Sequence, residues 1–169
     1  MSSQARGSAL SSTTILIVDD SRPMREIMKM ILRGLGVGQV LSAGDVAGAL
    51  AIAGRTTPDL IFIDWCMAPE GGLDLVRRLR DPADPLCPFV PIVMCTGHSD
   101  IHHVRTARDA GVTEFLAKPV SVASVARRIE EVIHRPRNFV RANGFFGPDR
   151  RRASRDFAGH DRRGGNPAA

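Results

Sequence analysis

The sequence predicts an α/β protein, a doubly wound parallel sheet of five strands with helices on both faces. Short apolar runs alternate five times with segments of helical periodicity, and such a repeat folds into a parallel sheet joined by right-handed crossovers. The run Leu60-Ile61-Phe62-Ile63 is too short for a helix and rich in β-branched and aromatic types, so it reads as a strand buried on both faces. Four of the five runs end on polar groups: Asp19-Asp20, Asp64, Thr96 and Lys118. A parallel sheet gathers these at its carboxyl edge, where open α/β folds place their ligands.

The elements follow in order. Thr14-Ile15-Leu16-Ile17-Val18 is the first strand, ending on Asp19 and Asp20. A helix starts after Ser21, an N-cap, with Pro23 in its first turn and Met24, Ile27, Met28, Ile31, Leu32 and Leu35 at helical spacing. Gly34, Gly36 and Gly38 stop it. Gln39 to Ala43 forms a short strand, and Asp45 caps a helix that ends near Gly54. The strand that ends on Asp64 leads through a loop, Trp65 to Gly72, into a helix with Leu73, Val76 and Leu79 on one face and Arg77, Arg78 and Arg80 on others. Pro82, Pro85 and Pro88 mark a linker. Phe89 to Cys95 is the fourth strand, with Pro91 near its start, where a missing amide donor is tolerated. Asp100 to Ala110 reads as a helix stopped by Gly111, and Val112 to Ala117 as the fifth strand. A last helix sets Val122, Val125, Ile129, Val132 and Ile133 on one face before Pro136.

Composition bounds the function. No stretch approaches the roughly 18 apolar residues of a membrane span. Residues 1–13 lack the apolar core of a secretory signal, so they read as a disordered lead and the chain as cytoplasmic. Cys66, Cys87 and Cys95 are odd in number and without C-x-x-C spacing, which argues for free thiols over disulfides or zinc. The net charge of +5 is uneven: residues from Arg135 onward carry nine Arg against three Asp, whereas residues 1–134 carry 14 Lys or Arg against 15 Asp or Glu. The basicity belongs to the tail. Gly34 to Gly38 is a poor dinucleotide fingerprint because it follows a helix. His98 and His102 have a metal-pair spacing but read as a solvated helix face.

The strand ends carry the chemistry. Three carboxylates in one cleft repel one another unless a cation sits among them. A hard divalent ion with oxygen ligands answers this, and Mg²⁺ needs only one or two carboxylates because it keeps several waters. An Asp carboxylate is also a nucleophile toward phosphorus, forming an acyl phosphate. The transferred group then needs an ammonium such as Lys118 and a hydroxyl such as Thr96 to balance its charge, with Gly97 leaving room. Each Asp alone could be an ordinary strand-end cap; the ordered set with Lys118 is what argues for a site.

Asp19-Asp20, Asp64, Thr96-Gly97 and Lys118-Pro119, in this order at the ends of strands one, three, four and five, resemble the receiver domain of two-component response regulators. The resemblance covers about residues 13–134 and implies a flavodoxin-like fold with five helices and strand order 2-1-3-4-5. It implies a receiver at 14–134 that is a signalling switch and not an enzyme acting on other molecules. Asp64 would accept a phosphoryl group from a histidine kinase or phosphotransfer protein. Mg²⁺ would be held by Asp20, Asp64 and the backbone carbonyl of Cys66, and by Asp19 through water. Thr96 and Lys118 would bind the phosphoryl group, Phe115 would be the switch aromatic, and Lys118-Pro119 a cis bond. The face that transmits the signal to a downstream protein would be the fourth helix, fifth strand and fifth helix, with His103, Arg105, Phe115 and Arg127.

Two features depart from the family pattern. Met67 is in place after the acceptor, but Ala68 stands where proline is common and Pro69 follows; Gly72 is retained, so the expectation is a changed loop and an intact site. Cys66 and His98 occupy the positions that tune acyl-phosphate hydrolysis in the family. The tail, residues 135–169, is Gly/Pro/Arg-rich and reads as largely disordered. Its aromatics could also anchor on a partner or on the receiver itself, and its Arg and Phe residues leave an alternative function, a nucleic-acid-binding protein that acts through its tail under receiver control, with weak contact to nucleic acid or an anionic surface.

Overall fold

The computed structural model describes residues 10–81, 83, 86–97, 101–134, 136–142 and 145–149. Strands β1 (Thr14–Val18), β2 (Gln39–Ala43), β3 (Leu60–Asp64), β4 (Ile92–Thr96) and β5 (Glu114–Ala117) alternate with helices α1 (Arg22–Gly34), α2 (Val46–Ala53), α3 (Gly72–Leu79), α4 (Ile101–Ala110) and α5 (Val122–His134). The sheet is parallel throughout, as the alternation predicts, and its order is β2-β1-β3-β4-β5, as the resemblance implies. The register pairs Val18 with Ile63, Asp64 with Cys95 and Thr96 with Ala117. The polar residues that follow β1, β3, β4 and β5 therefore emerge side by side.

Alternation along each strand divides the core into two layers. Leu16, Val18, Ile61, Ile63, Ile92 and Met94 face Ala49, Leu75, Val76, Leu79 and Ala107 of α2, α3 and α4. Ile15, Ile17, Leu60, Phe62, Val93 and Cys95 face Met28, Leu32, Val125 and Ile129 of α1 and α5. Every residue of β3 and β4 is buried, which is why these strands read as unbroken apolar runs.

Caps fall where the sequence puts them: the Ser21 hydroxyl accepts from Met24 N, and Asp45 Oδ1 accepts from Gly48 N at 2.7 Å. The apolar stripe of α5 is shorter than its pattern, because Val122 and Ile133 at its ends stay exposed. No described helix is long and apolar enough to cross a membrane. Lys118–Pro119 is cis as expected; Ala68–Pro69 is also cis, which the sequence reading did not foresee.

Arg80 is the largest departure. Placed off the apolar face of its helix by its spacing, it is only 4% exposed. It donates from Nε to Gly111 O (3.3 Å), from Nη1 to Cys87 O (3.0 Å) and Pro88 O (2.8 Å), and from Nη2 to Val90 O (2.6 Å). Burial pulls the guanidinium down to about 10, so it remains a cation at neutral pH and four carbonyl dipoles take the place of a carboxylate partner. Gly111, at φ +102°, lies so close that a Cβ there would sit 3.0 Å from Arg80 Cγ.

Part of the expected disordered tail is ordered. Strands β6 (Phe139–Ala142) and β7 (Phe145–Pro148) form an antiparallel hairpin. The reason is a set of long-range partners invisible to local composition. The Phe139 and Phe146 rings each meet Phe89 edge-on at 5.5 Å, Phe139 covers the Arg80 guanidinium at 5.0 Å, and Arg137 Nη2 donates to Glu114 Oε1 at 2.7 Å. Aromatic and cation–π contacts of this kind contribute about 0.5–2 kcal/mol each beyond area burial. From Arg150 onward the tail lies outside the described residues.

Candidate functional site

The loop after β1 and the last residue of β3 bring three carboxylates together. Asp19, Asp20 and Asp64 each offer an oxygen within 4.8 Å of the others. Asp19 and Asp64 are buried and Asp20 is exposed, so the cluster opens to solvent on one side. Lys118, just past β5, reaches across with Nζ 2.8 Å from Asp64 Oδ1 and 3.2 Å from Asp19 Oδ2. Asp19 Oδ1 also accepts from Ser21 N at 2.8 Å, which fixes its rotamer at the α1 N-terminus.

The electrostatics are those of a crowded acidic pocket. Burial, reinforced by the charge of Asp19, raises the Asp64 pKa despite its bond to Lys118. Burial alone would lower Lys118, but its bond to Asp64 and the charge of Asp19 outweigh this and raise it. Lys118 is thus held cationic against carboxylates that carry excess negative charge. Among the described residues, no ion pair reaches the Asp20 carboxylate. A third, exposed carboxylate beside a two-carboxylate pocket with one ammonium suits a hard divalent cation with water-filled positions.

Backbone bonds lock the strand ends. Trp65 N donates to Cys95 O at 2.9 Å, and Lys118 N to Thr96 O at 2.9 Å. Gly72 N donates to Trp65 O at 3.1 Å and closes the loop after Asp64. A Cβ at Gly72 would lie 2.1 Å from Asp64 O, a contact that no rotamer relieves. Gly72→Ala is therefore expected to cost about 3 kcal/mol or more through backbone displacement at the end of β3, read as a lowered denaturant midpoint.

Thr96 is buried at the end of β4, and Phe115 on β5 is half-buried against the layer that α2, α3 and α4 cover. Phe115 lies three residues before Lys118, and Thr96 meets Lys118 through their backbone bond. His98 lies outside the described residues, as do the side chains of His102 and His103. Cys66, two residues after Asp64, is exposed, while Cys87 and Cys95 are buried, and burial pushes the Cys95 thiol up to about 12. A thiol reagent should count one reactive cysteine in the folded protein and three in denaturant, with Cys66→Ser abolishing the native signal.

Sequence reasoning missed Arg25. Its Nη1 donates to Asp19 O at 2.7 Å and Asp20 O at 3.2 Å. A hint existed: a cation just inside a helix N-terminus opposes the macrodipole, so it calls for a specific local partner.

Residues 15–130 match the family model described as the response regulator receiver domain. The chain is 38% identical over 121 residues to the chemotaxis protein CheY1 of Helicobacter pylori, covering 70% of this chain and 95% of that protein. It is 34% identical over 121 residues to the chemotaxis protein CheY of Pseudomonas aeruginosa, covering 72% and 96% respectively. Among solved structures it resembles the receiver domain of the sensor histidine kinase PA1611 of P. aeruginosa, with a magnesium ion coordinated in the active site cleft. That likeness has a TM-score of 0.65 at 27% identity and covers 72% of this chain and 98% of the other. With the sheet order, the acidic cluster and the lysine in place, these likenesses agree: the chain belongs to the response regulator receiver domain family.

Proposed function

We propose that this protein is a phosphorylation switch in which Asp64 accepts a phosphoryl group from a histidine kinase or phosphotransfer protein. The observation that carries this is the convergence of Asp64 Oδ1 on Lys118 Nζ at 2.8 Å beside the carboxylates of Asp19 and Asp20. A carboxylate oxygen of Asp64 forms the new bond to phosphorus, and the donor's leaving group departs with the bonding pair. Lys118, held cationic by the pocket, then trades its carboxylate contact for a phosphoryl oxygen. Thr96, at the end of the neighbouring strand, donates its hydroxyl to another.

The donor set fits Mg²⁺, with Asp20, Asp64 and the Cys66 carbonyl as ligands and Asp19 acting through water. When bound, the ion offsets the negative charge of the carboxylates and of the incoming group. The magnesium in the structurally similar kinase receiver supports this choice. The receiver proper spans residues 14–134 and works in the cytoplasm. Its output is a protein contact on α4, β5 and α5, with Thr96 and Phe115 as the switch pair and Arg105 and Arg127 on the surface.

Incubation with Mg²⁺ and acetyl phosphate tests the reading. One phosphoryl group per chain, released by hydroxylamine as an acyl phosphate is, supports it. Multiple turnover on phosphoesters, or no incorporation, overturns it.

A further inference from the structure

The carboxylates at the site can act together only if the short loop that carries two of them is held still. That loop, Asp19 to Ser21, joins β1 to α1. Two of its carbonyl oxygens turn toward one side chain. Arg25 Nη1 bridges Asp19 O at 2.7 Å and Asp20 O at 3.2 Å. The same guanidinium lies against the loop after β2: a Cβ on Gly44 would fall 3.2 Å from Arg25 Nη1. Arg25 is thus wedged between two loops at the carboxyl edge of the sheet, with Asp19 N also bonded to Ala43 O at 3.3 Å between the same strands.

We infer that Arg25 is a positioning residue for the divalent-ion site. It grips the backbone of Asp19 and Asp20, and so sets where their carboxylates project. The inference rests on the proposed function, since it concerns the same acidic cluster. The role makes an uncommon demand, because Arg25 is itself a cation beside a cation site. By Coulomb's law alone its presence weakens binding of a second cation, and deleting it tightens the site. Groups that orient metal ligands act in the opposite direction, and their loss costs about 10–100-fold in affinity. The two effects differ in sign, so one titration decides between them.

Trp65 is the only tryptophan and adjoins Asp64, which gives a fluorescence signal at the site without any activity assay. Mg²⁺ is titrated into wild type, Arg25→Ala, Arg25→Lys and Asp20→Asn, with each fold checked by its metal-free unfolding curve. The positioning role predicts Kd for Mg²⁺ raised at least about tenfold in Arg25→Ala. Arg25→Lys, which keeps the charge but not the planar fork that spans two carbonyls, should fall between. Should Arg25→Ala fail to fold, Arg25→Lys carries the test, with a rise of at least about threefold expected on the same ground. Unchanged or tighter binding in Arg25→Ala overturns the inference, as does wild-type binding in Arg25→Lys. A Mg²⁺ response that persists in Asp20→Asn overturns the metal assignment itself, and the inference with it. A response lost in Asp20→Asn but intact in Arg25→Ala removes the positioning role alone.

Discussion

Asp64→Asn is expected to take up no measurable phosphoryl group from acetyl phosphate and Mg²⁺, below about one hundredth of the wild-type yield, as when a covalent nucleophile is deleted. The substitution keeps the shape of the side chain and removes the attacking oxygen's charge. Loss of folding would mimic this result, so stability must be read beside it. Burial and the charge of Asp19 already hold the Asp64 carboxyl above its ordinary range, meaning that the fold disfavours its ionised form. A raised carboxyl pKa lowers stability as pH rises through the window above the unfolded value, and the neutral amide escapes that loss. The metal-free variant should therefore unfold at no lower temperature than wild type at pH 7. Wild-type labelling in the variant, in a chain that melts normally, would move the acceptor elsewhere.

Arg80→Met is expected to produce the largest loss of stability, about 3–5 kcal/mol. The substitution fills much of the space but strands the carbonyls of Gly111, Cys87, Pro88 and Val90, each of which costs about 1–3 kcal/mol if left buried without a donor. It also removes the cation beneath Phe139. For a protein of this size the unfolding midpoint should drop by roughly 10 °C. Phe139→Ala isolates the hairpin's share: it leaves the four carbonyl bonds in place and is expected to cost less. Equal losses in the two variants would show that Arg80 acts through Phe139 and not through the carbonyls.

How far the chain could be read before its structure was known follows from the range of the forces involved. The β3 run Leu60–Ile63 and its terminal Asp64 were legible because a strand buried on both faces leaves a local apolar signature. The cluster of Asp19, Asp20, Asp64 and Lys118 was legible because parallel topology turns separate strand ends into neighbours. Arg80 was not, since helical spacing places it off the apolar face and only the packed linker at Cys87 to Val90, with Gly111 after α4, supplies its acceptors. The hairpin escaped for the same reason. Phe139 and Phe146 sit in a segment of Gly, Pro and Arg, and their partner Phe89 is some 50 residues earlier. Arg25 left only the oblique sign of a cation at the wrong end of a helix.

The hairpin's attachment also has a geometric outcome. α5 runs back against the sheet, so Arg137, which follows it, meets Glu114 at the entry of β5, while Asp64 lies at the exit of β3. The two are separated along the sheet by roughly the length of a five-residue strand, about 17 Å. The molecule is therefore bipolar: a phosphodonor engaged at one pole leaves the other free. A fluorophore or fused domain joined after Asp149 would ride on the far pole, reporting on the switch or being carried by it without shading the acceptor.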